Sequence, residues 1–356
     1  MKFLLFIIAF SSEIALSYPE NIRNGYTNCT SCHVSPTGGG AVTSYGRSFS
    51  AEVLSTWKKQ GEENYFLPAL PEGVSYGGNA RYVNLSIDSC GYSYSRKFLM
   101  QADAELALEV LPGLIVAGTY GVYNVDTKYR KPLLYEQRRN YVLINASDNL
   151  SLRAGRFFPA YGIHFADHTL ATRSAIGFGQ GEETFNVEAS YKNQYFELFT
   201  TGVQGKTGSV SIDGSKGYKW TGDGEEHGLI GRLALNFQTY QIGVSALRMI
   251  GVNRVRSSYG AYANLGLFES LYLQLQADKI FSGSTPQLVG TGKIGFVPIR
   301  GVHLITSYDT LDKDYTSWHW GVTLYPRPHW EFNAEFIRKN ADRRYDEMLF
   351  ITNHYL

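Results

Sequence analysis

From about residue 75 onward, apolar and polar side chains change places at every second position, in runs of about ten residues. Phe98, Met100, Ala102, Ala104, Leu106 and Leu108 alternate with Gln101, Asp103, Glu105 and Glu109. Leu271, Leu273, Leu275 and Ala277 alternate with Gln274, Gln276 and Asp278, and Trp330, Phe332, Ala334 and Phe336 with Glu331, Asn333 and Glu335. A period of two is strand geometry, because successive Cβ atoms leave opposite faces of a pleated chain. Strands of soluble proteins cluster at about 5–6 residues, whereas a tilted strand crossing lipid needs about 9–11. The pattern predicts strands with one face toward lipid and the other toward a polar lumen.

Sixteen such runs are expected: 75–89, 96–110, 114–125, 136–146, 150–158, 184–192, 194–204 and 227–237 in the first half. The second half supplies 239–250, 257–268, 270–282, 287–297, 302–309, 316–326, 329–338 and 346–356. Every second connection is short, as at Pro112-Gly113, Asp148-Asn149, Asn193, Gln238 and Glu269-Ser270. The others include the long segments 159–183 and 205–226. Alternating tight turns and long loops separate the periplasmic from the outer end of bacterial barrels. An even count returns both ends of the barrel to the short-turn side.

Charge adds an exclusion. Lys and Arg number 33 against 32 Asp and Glu, so no basic footprint for nucleic acid is present. Gly at 37 and Tyr at 26 of 356 residues suit a barrel with aromatic girdles. Met1 to Ser17 reads as a secretory signal: Lys2, an apolar run from Phe3 to Phe10, then Ala15-Leu16-Ser17 as a cleavage site. Beyond Phe10 no apolar stretch reaches the roughly 20 residues of a spanning helix.

Cys29-Thr30-Ser31-Cys32-His33 is the strongest chemical statement in the chain. C-x-x-C-H is the attachment pattern of a c-type haem, with both thiols bonding one macrocycle and the histidine lying beneath the iron. A zinc site would need two more ligands at short spacing, yet the next Cys is Cys90 and the next His is His164. A thioredoxin-like dithiol would need a βαβ surround, and the pattern there is different. Export agrees with haem c. Cys90 is left over as a free thiol.

Tyr45, Phe49, Val53 and Trp57 recur at helical spacing with Leu54 beside them, and Glu62-Glu63 with Pro68 and Pro71 mark a linker. The expected layout is a signal over 1–17, a monohaem cytochrome c-type segment over 18–70 and a barrel over 75–356. The fold class is mainly β: a sixteen-stranded antiparallel transmembrane β-barrel, porin-like, with a small N-terminal α-helical c-type haem segment.

The order of a single haem motif followed by a barrel resembles the outer-membrane fused monohaem cytochrome c–porin family, whose best-known members are iron oxidases. The residues that carry the resemblance are Cys29, Cys32 and His33. The run Cys32-His33-Val34-Ser35-Pro36-Thr37-Gly38-Gly39-Gly40 with Tyr45-Gly46-Arg47 looks like a distinct branch. The resemblance implies location in the bacterial outer membrane, one covalent haem c, and electron transfer between an outer donor, with extracellular Fe(II) as a candidate, and a periplasmic electron-carrier cytochrome. The rival expectations are a passive porin with a haem-bearing plug or sensor, and a barrel that sheathes a separate cytochrome.

The N-terminal segment has no second histidine, so a distal ligand must come from the barrel. In general porins the third outer loop commonly folds into the lumen. Here that loop carries His164, Asp167 and His168, and His168 is the preferred distal candidate, ahead of His164 and His354. Met249 and His319 are expected to face inward and Met100 to face lipid. Asp223, Glu225, Glu226 and His227, with Glu182 and Glu183, form a weaker candidate for gathering Fe(II) through hard oxygen and imidazole donors. Arg138, Arg153 and Arg232 are expected to pair across the lumen with Asp103, Glu105, Glu188 or Glu197.

Overall fold

The structure, a computed structural model, describes residues 19–64, 70–89, 92–123, 134–167, 170–178, 183–205, 226–251, 255–283, 285–313, 315–341 and 344–355. The signal segment, Cys90 and His168 lie outside the described residues.

Sixteen strands among the described residues form one closed antiparallel barrel. They are β1 (Val74–Ser89), β2 (Tyr92–Leu111), β3 (Leu114–Tyr123), β4 (Leu134–Asn145), β5 (Leu150–Phe157), β6 (Thr184–Lys192), β7 (Phe196–Gln204) and β8 (His227–Phe237). There follow β9 (Tyr240–Ile250), β10 (Val255–Phe268), β11 (Leu271–Phe281), β12 (Gln287–Ile299), β13 (Val302–Leu311), β14 (Tyr315–Leu324), β15 (Trp330–Asn340) and β16 (Arg344–Tyr355). Neighbours in sequence pair, and β1 meets β16 with Arg81 opposite Asn353, which leaves no free sheet edge.

The alternation resolves as expected. Leu106, Leu198, Leu233, Val244, Leu275 and Leu304 are exposed on the outside, while Gln274, Gln276 and Asp278 are buried inside. Rings gather at the two rims: Tyr195, Phe237, Tyr240 and Phe268 near the tight turns, Tyr135, Tyr259 and Phe281 near the long loops. A band of exposed aliphatic side chains between two aromatic belts is a surface made for lipid. Among the described residues no helix is long and apolar enough to cross a membrane. The strands do the crossing.

Two details depart from the simple pattern. Between Arg81 and Tyr82 the register with β2 slips, so Arg81 faces Gln101 but Tyr82 faces Leu99, and Met100 is the extra residue of a bulge. Above it the phase reverses, and Phe98 stands opposite the buried Val83 on the lumen side. A second slip, between Thr119 and Tyr120, skips Arg138. There, successive guanidinium groups both reach lumenal acids, Arg138 to Asp103 at 3.0 Å and Arg139 to Glu105 at 3.7 Å. The other expected pairs also form, Arg153–Glu188 at 2.7 Å and Arg232–Glu197 at 2.9 Å.

The N-terminal segment lies within the barrel. A 3-10 turn over Pro19–Asn24 packs on β9, β10 and β11, with the Asn264 amide donating to the Pro19 carbonyl at 2.7 Å and Arg23 bonding the Glu269 carbonyl. Helix α1 (Ser44–Phe49) is capped by the Thr43 hydroxyl and runs into a wider π-type turn over Ser50–Leu54. The apolar stripe read from the sequence therefore breaks: Phe49 and Leu54 are buried, but Tyr45 is exposed and Trp57 lies exposed beyond the helical run. Wall glycines make the docking possible. A Cβ on Gly266 would run into the Arg23 backbone, and one on Gly77 would stand 3.0 Å from the Gly40 carbonyl oxygen.

At the tight-turn end the segment is tied off. Thr56 N–H donates to the Tyr325 carbonyl at 2.8 Å, Arg327 bonds the Glu62 carboxylate through two nitrogens, and His329 Nε2 donates to the Glu62 and Glu63 carbonyls at 3.1 and 3.2 Å.

Candidate functional site

Asn28 to His33 forms one helical turn. The Thr30 and Ser31 hydroxyls donate to the Asn28 side chain, and the Cys32 and His33 amides donate to the Cys29 carbonyl at 3.3 and 3.0 Å. Residues three and four apart in a helical turn share a side; here Cys29 faces a cavity inside the barrel, whereas Cys32 packs against Phe49, Leu54 and Tyr325. The chain then makes a short hairpin: His33 bridges Val42, the Val34 amide donates to Ala41 at 3.0 Å, and the Val42 amide donates to the Tyr76 carbonyl of β1 at 2.9 Å. Gly38, Gly39 and Gly40 form its tip with φ of 79°, 66° and 76°, a region that side chains with a Cβ avoid.

The opposite wall of the site comes from the loop after β5. Having left β5, the loop crosses to the far strands: Gly162 N–H donates to Ser245 Oγ at 2.9 Å, Ile163 N–H to Gln276 Oε1 at 2.8 Å, and Tyr161 O–H to Asp278 Oδ1 at 2.8 Å. Further along, helix α2 (Ala171–Ser174) begins where the Ala171 amide donates to Asp309 Oδ2 at 2.6 Å. β5 and β13 are eight strands apart in a sixteen-strand ring, so the loop spans the lumen. It meets the motif segment there, since the Thr37 hydroxyl donates to the Phe158 carbonyl at 3.3 Å. Arg153 clasps the junction, donating to Ser35 Oγ at 2.9 Å and Thr37 Oγ1 at 3.2 Å.

Between the two segments lies a cavity of about 90 Å³. Cys29, Gly38 and Gly39 line one side, Pro159 to His164 the other, and Phe199, Arg232 and Gln241 the barrel wall. His33 and His164 are both enclosed by the barrel, yet each keeps part of its surface open. Burial first, and then the Arg139 charge, push His33 down to about 4, with a backbone hydrogen bond to Gly40 opposing them. Burial and the Arg173 charge hold His164 well below the usual imidazole range, and the Arg139 charge acts the same way. Both imidazoles are therefore neutral at pH 7, the state in which nitrogen binds a metal. Burial raises the Cys32 thiol, with the neighbouring Cys29 adding to the shift.

These donors suit a c-type haem: two thiols three apart, an adjoining imidazole, and a buried Nδ1 on His33 that has no hydrogen-bond partner. The open volume is below the roughly 300 Å³ at which cofactor pockets begin, so a haem would fit only once side chains move. The Arg139 guanidinium lies against the hairpin tip, 2.8 Å from where a Cβ on Gly39 would stand.

The remaining candidates fall out as follows. His354, a lesser distal candidate expected near the lumen, stands directly opposite Trp330 on the outer face, ring centroids 4.7 Å apart, and Tyr355 is the neighbour that turns inward to Ser50 at 3.0 Å. Met249 and His319 are buried inward as expected. Of the acidic loop cluster, Asp223, Glu225 and Glu182 lie outside the described residues, and Glu226 pairs with Arg256 at 3.0 Å. A grouping that the sequence did not reveal is Asp167, His319 and Glu335, whose ligand atoms lie within 4.8 Å of one another. Both His319 nitrogens are already engaged, by Ser317 and Glu335 at 2.8 Å each, so the group reads as a buried charge network.

No family model matches this chain, and no curated protein matches it by sequence. Solved structures do match in fold. The anion-selective porin from Comamonas acidovorans superposes with a TM-score of 0.60 at 11% identity, over 80% of this chain and 99% of the porin. OmpF of Salmonella typhi, solved in complex with daunomycin, gives 0.60 at 11% identity over 82% and 100%. The outer membrane channel DcaP of Acinetobacter baumannii gives 0.56 at 9% identity over 85% and 100%. The class is therefore a porin-like sixteen-stranded barrel, with its own N-terminal segment folded into the lumen.

Proposed function

We propose that this chain is a bacterial outer-membrane barrel whose lumen is closed by a segment bearing one covalent haem c, and that it transfers electrons across the membrane. The observation that carries the proposal is the meeting of the motif segment and the crossing loop inside the barrel, around a cavity lined by Cys29 and His164. The haem, when bound, supplies one-electron chemistry at its iron. The chain's own residues do the rest. Cys29 and Cys32 anchor the group, His33 offers a neutral nitrogen, and the buried Arg–carboxylate pairs balance charge within the lumen. Because Cys32 is only 2% exposed, thioether formation belongs to a stage before the segment docks. An outer donor, with Fe(II) as the candidate, and a periplasmic cytochrome as acceptor complete the path.

A second reading is favoured by the structural neighbours, which are named as porins and a channel: a passive porin carrying a haem-bearing plug. The barrel-as-sheath alternative is disfavoured, because the chain's own segments cross the lumen where a separate cytochrome would sit.

Two measurements on the same preparation separate the readings. In planar bilayers the conduit gives little steady conductance, and in proteoliposomes an external reductant reduces an entrapped oxidised cytochrome only when the protein is present. A large steady pore with no electron transfer establishes the passive porin instead.

A further inference from the structure

We propose that His164 is the second axial ligand of the haem iron, with His33 the first. This deepens the haem reading above and rests on it.

The N-terminal segment carries one histidine, His33, so it cannot supply a second imidazole itself. The crossing loop brings one. His164 lines the same cavity as Cys29, and no hydrogen bond engages its ring among the described residues. His164 is half-buried, so its ring opens onto this cavity rather than being sealed away from it. On the neighbouring hairpin His33 has a buried Nδ1 without a hydrogen-bond partner, and it lies close enough to His164 for the two rings to influence each other's charge.

The loop is held in a way that fixes where His164 stands. Immediately before it, the Gly162 amide bonds Ser245, the Gly162 carbonyl accepts from Arg232 Nε at 3.1 Å, and the Ile163 amide bonds Gln276. Gly162 itself has φ of 53°, a conformation suited to glycine, which turns the chain between the wall and the cavity. On the other flank the Phe158 ring lies 5.9 Å from the imidazole. Hydrogen bonds to three different strands therefore orient a residue that has no bond of its own. That is the arrangement expected when outer partners position a ligand for a metal.

Coordination requires only donation of the nitrogen lone pair to iron, with no atom lost. His168 lies outside the described residues and serves as the comparison.

The test uses the full-length protein in detergent, with haem quantified per chain as the pyridine haemochrome, and with visible, near-infrared and electron-spin resonance spectra of the ferric form. Wild type is expected to be low-spin with the near-infrared band of two imidazoles. His164→Ala converts it to high-spin, and added imidazole restores the low-spin spectrum. His164→Met fills the space and moves the near-infrared band to that of an imidazole–thioether pair, so the proposal survives a poorly folding Ala variant. His168→Ala leaves the spectrum unchanged. If His164→Ala and His164→Met keep the wild-type spectrum at equal haem content, the ligand assignment is overturned while the haem reading stands. If wild type carries no covalent haem, both are overturned.

Discussion

Replacing Arg153 by alanine should loosen the motif segment from the barrel wall by an amount the structure allows to be worked out. Arg153 and Glu188 are each 1% exposed at the side chain and 2.7 Å apart. Removing the arginine leaves a buried carboxylate with, among the described residues, the Thr201 hydroxyl at 2.9 Å to solvate it. Breaking a buried pair from one side costs about 3–5 kcal/mol. The lost bonds to Ser35 and Thr37, formed by a charged donor, are each worth about 1.5–3 kcal/mol. These contributions overlap, because all share one guanidinium. A net loss of about 3 kcal/mol in docking is a conservative expectation, or roughly 100-fold in an opening equilibrium. Amide exchange at Val34, Val42 and Thr43, whose N–H groups bond Ala41, Tyr76 and Cys32, reads that opening directly. Adding Glu188→Gln removes the stranded charge and should restore most of the pair's share, leaving the double variant slower to exchange than Arg153→Ala alone. Equal exchange in wild type and Arg153→Ala, or no recovery in the double variant, would refute the reasoning.

Gly266→Ala should leave the barrel intact but expel Pro19–Asn24, because the added Cβ meets backbone atoms of Arg23 that cannot rotate away; protease cleavage near residue 24 should appear while the barrel still resists heat in detergent. Val244→Arg places a charge near the middle of β9 on the lipid face, and should lower folding into vesicles by about 2–4 kcal/mol, whereas Val244→Leu should be neutral. The Arg327 hydrogen bond holds the Glu62 carboxyl below its ordinary range. Its stabilising contribution is thus full above that range and is lost as pH falls through the lowered value. The fluorescence of nearby Trp57 should shift on acidification in wild type, and Arg327→Gln should abolish the transition; an unchanged acid transition in that variant would place the titration elsewhere.

The strands were legible because the constraint on them is local. Each must show lipid one face and the lumen the other, so Leu271 to Asp278 declares its orientation without knowledge of any neighbour. Bulges are invisible to that argument, since one extra residue at Met100 reverses every side chain beyond it. His354 turns outward because its strand sets it opposite Trp330, a pairing that the sequence alone does not reveal. The arginine–carboxylate pairs were readable because the lumen leaves few partners for buried charge. What the sequence could not disclose was the third dimension inside the barrel. Whether the loop aims His164 or His168 at the centre depends on bonds to Ser245, Gln276 and Asp309, residues 80 or more positions away. The glycines at 77 and 266 looked like ordinary strand glycines until the backbone lying against them was visible.

The most direct test of the account is the intact mass of the mature protein, taken after denaturation, alongside the absorbance of the folded barrel. The account predicts the chain plus one haem retained through denaturation, a red protein whose colour needs detergent to stay in solution, and a Cys29→Ala/Cys32→Ala variant that is colourless yet still forms a barrel. A wild-type protein with the mass of the bare polypeptide, exported and folded under conditions that mature other c-type cytochromes, would contradict it.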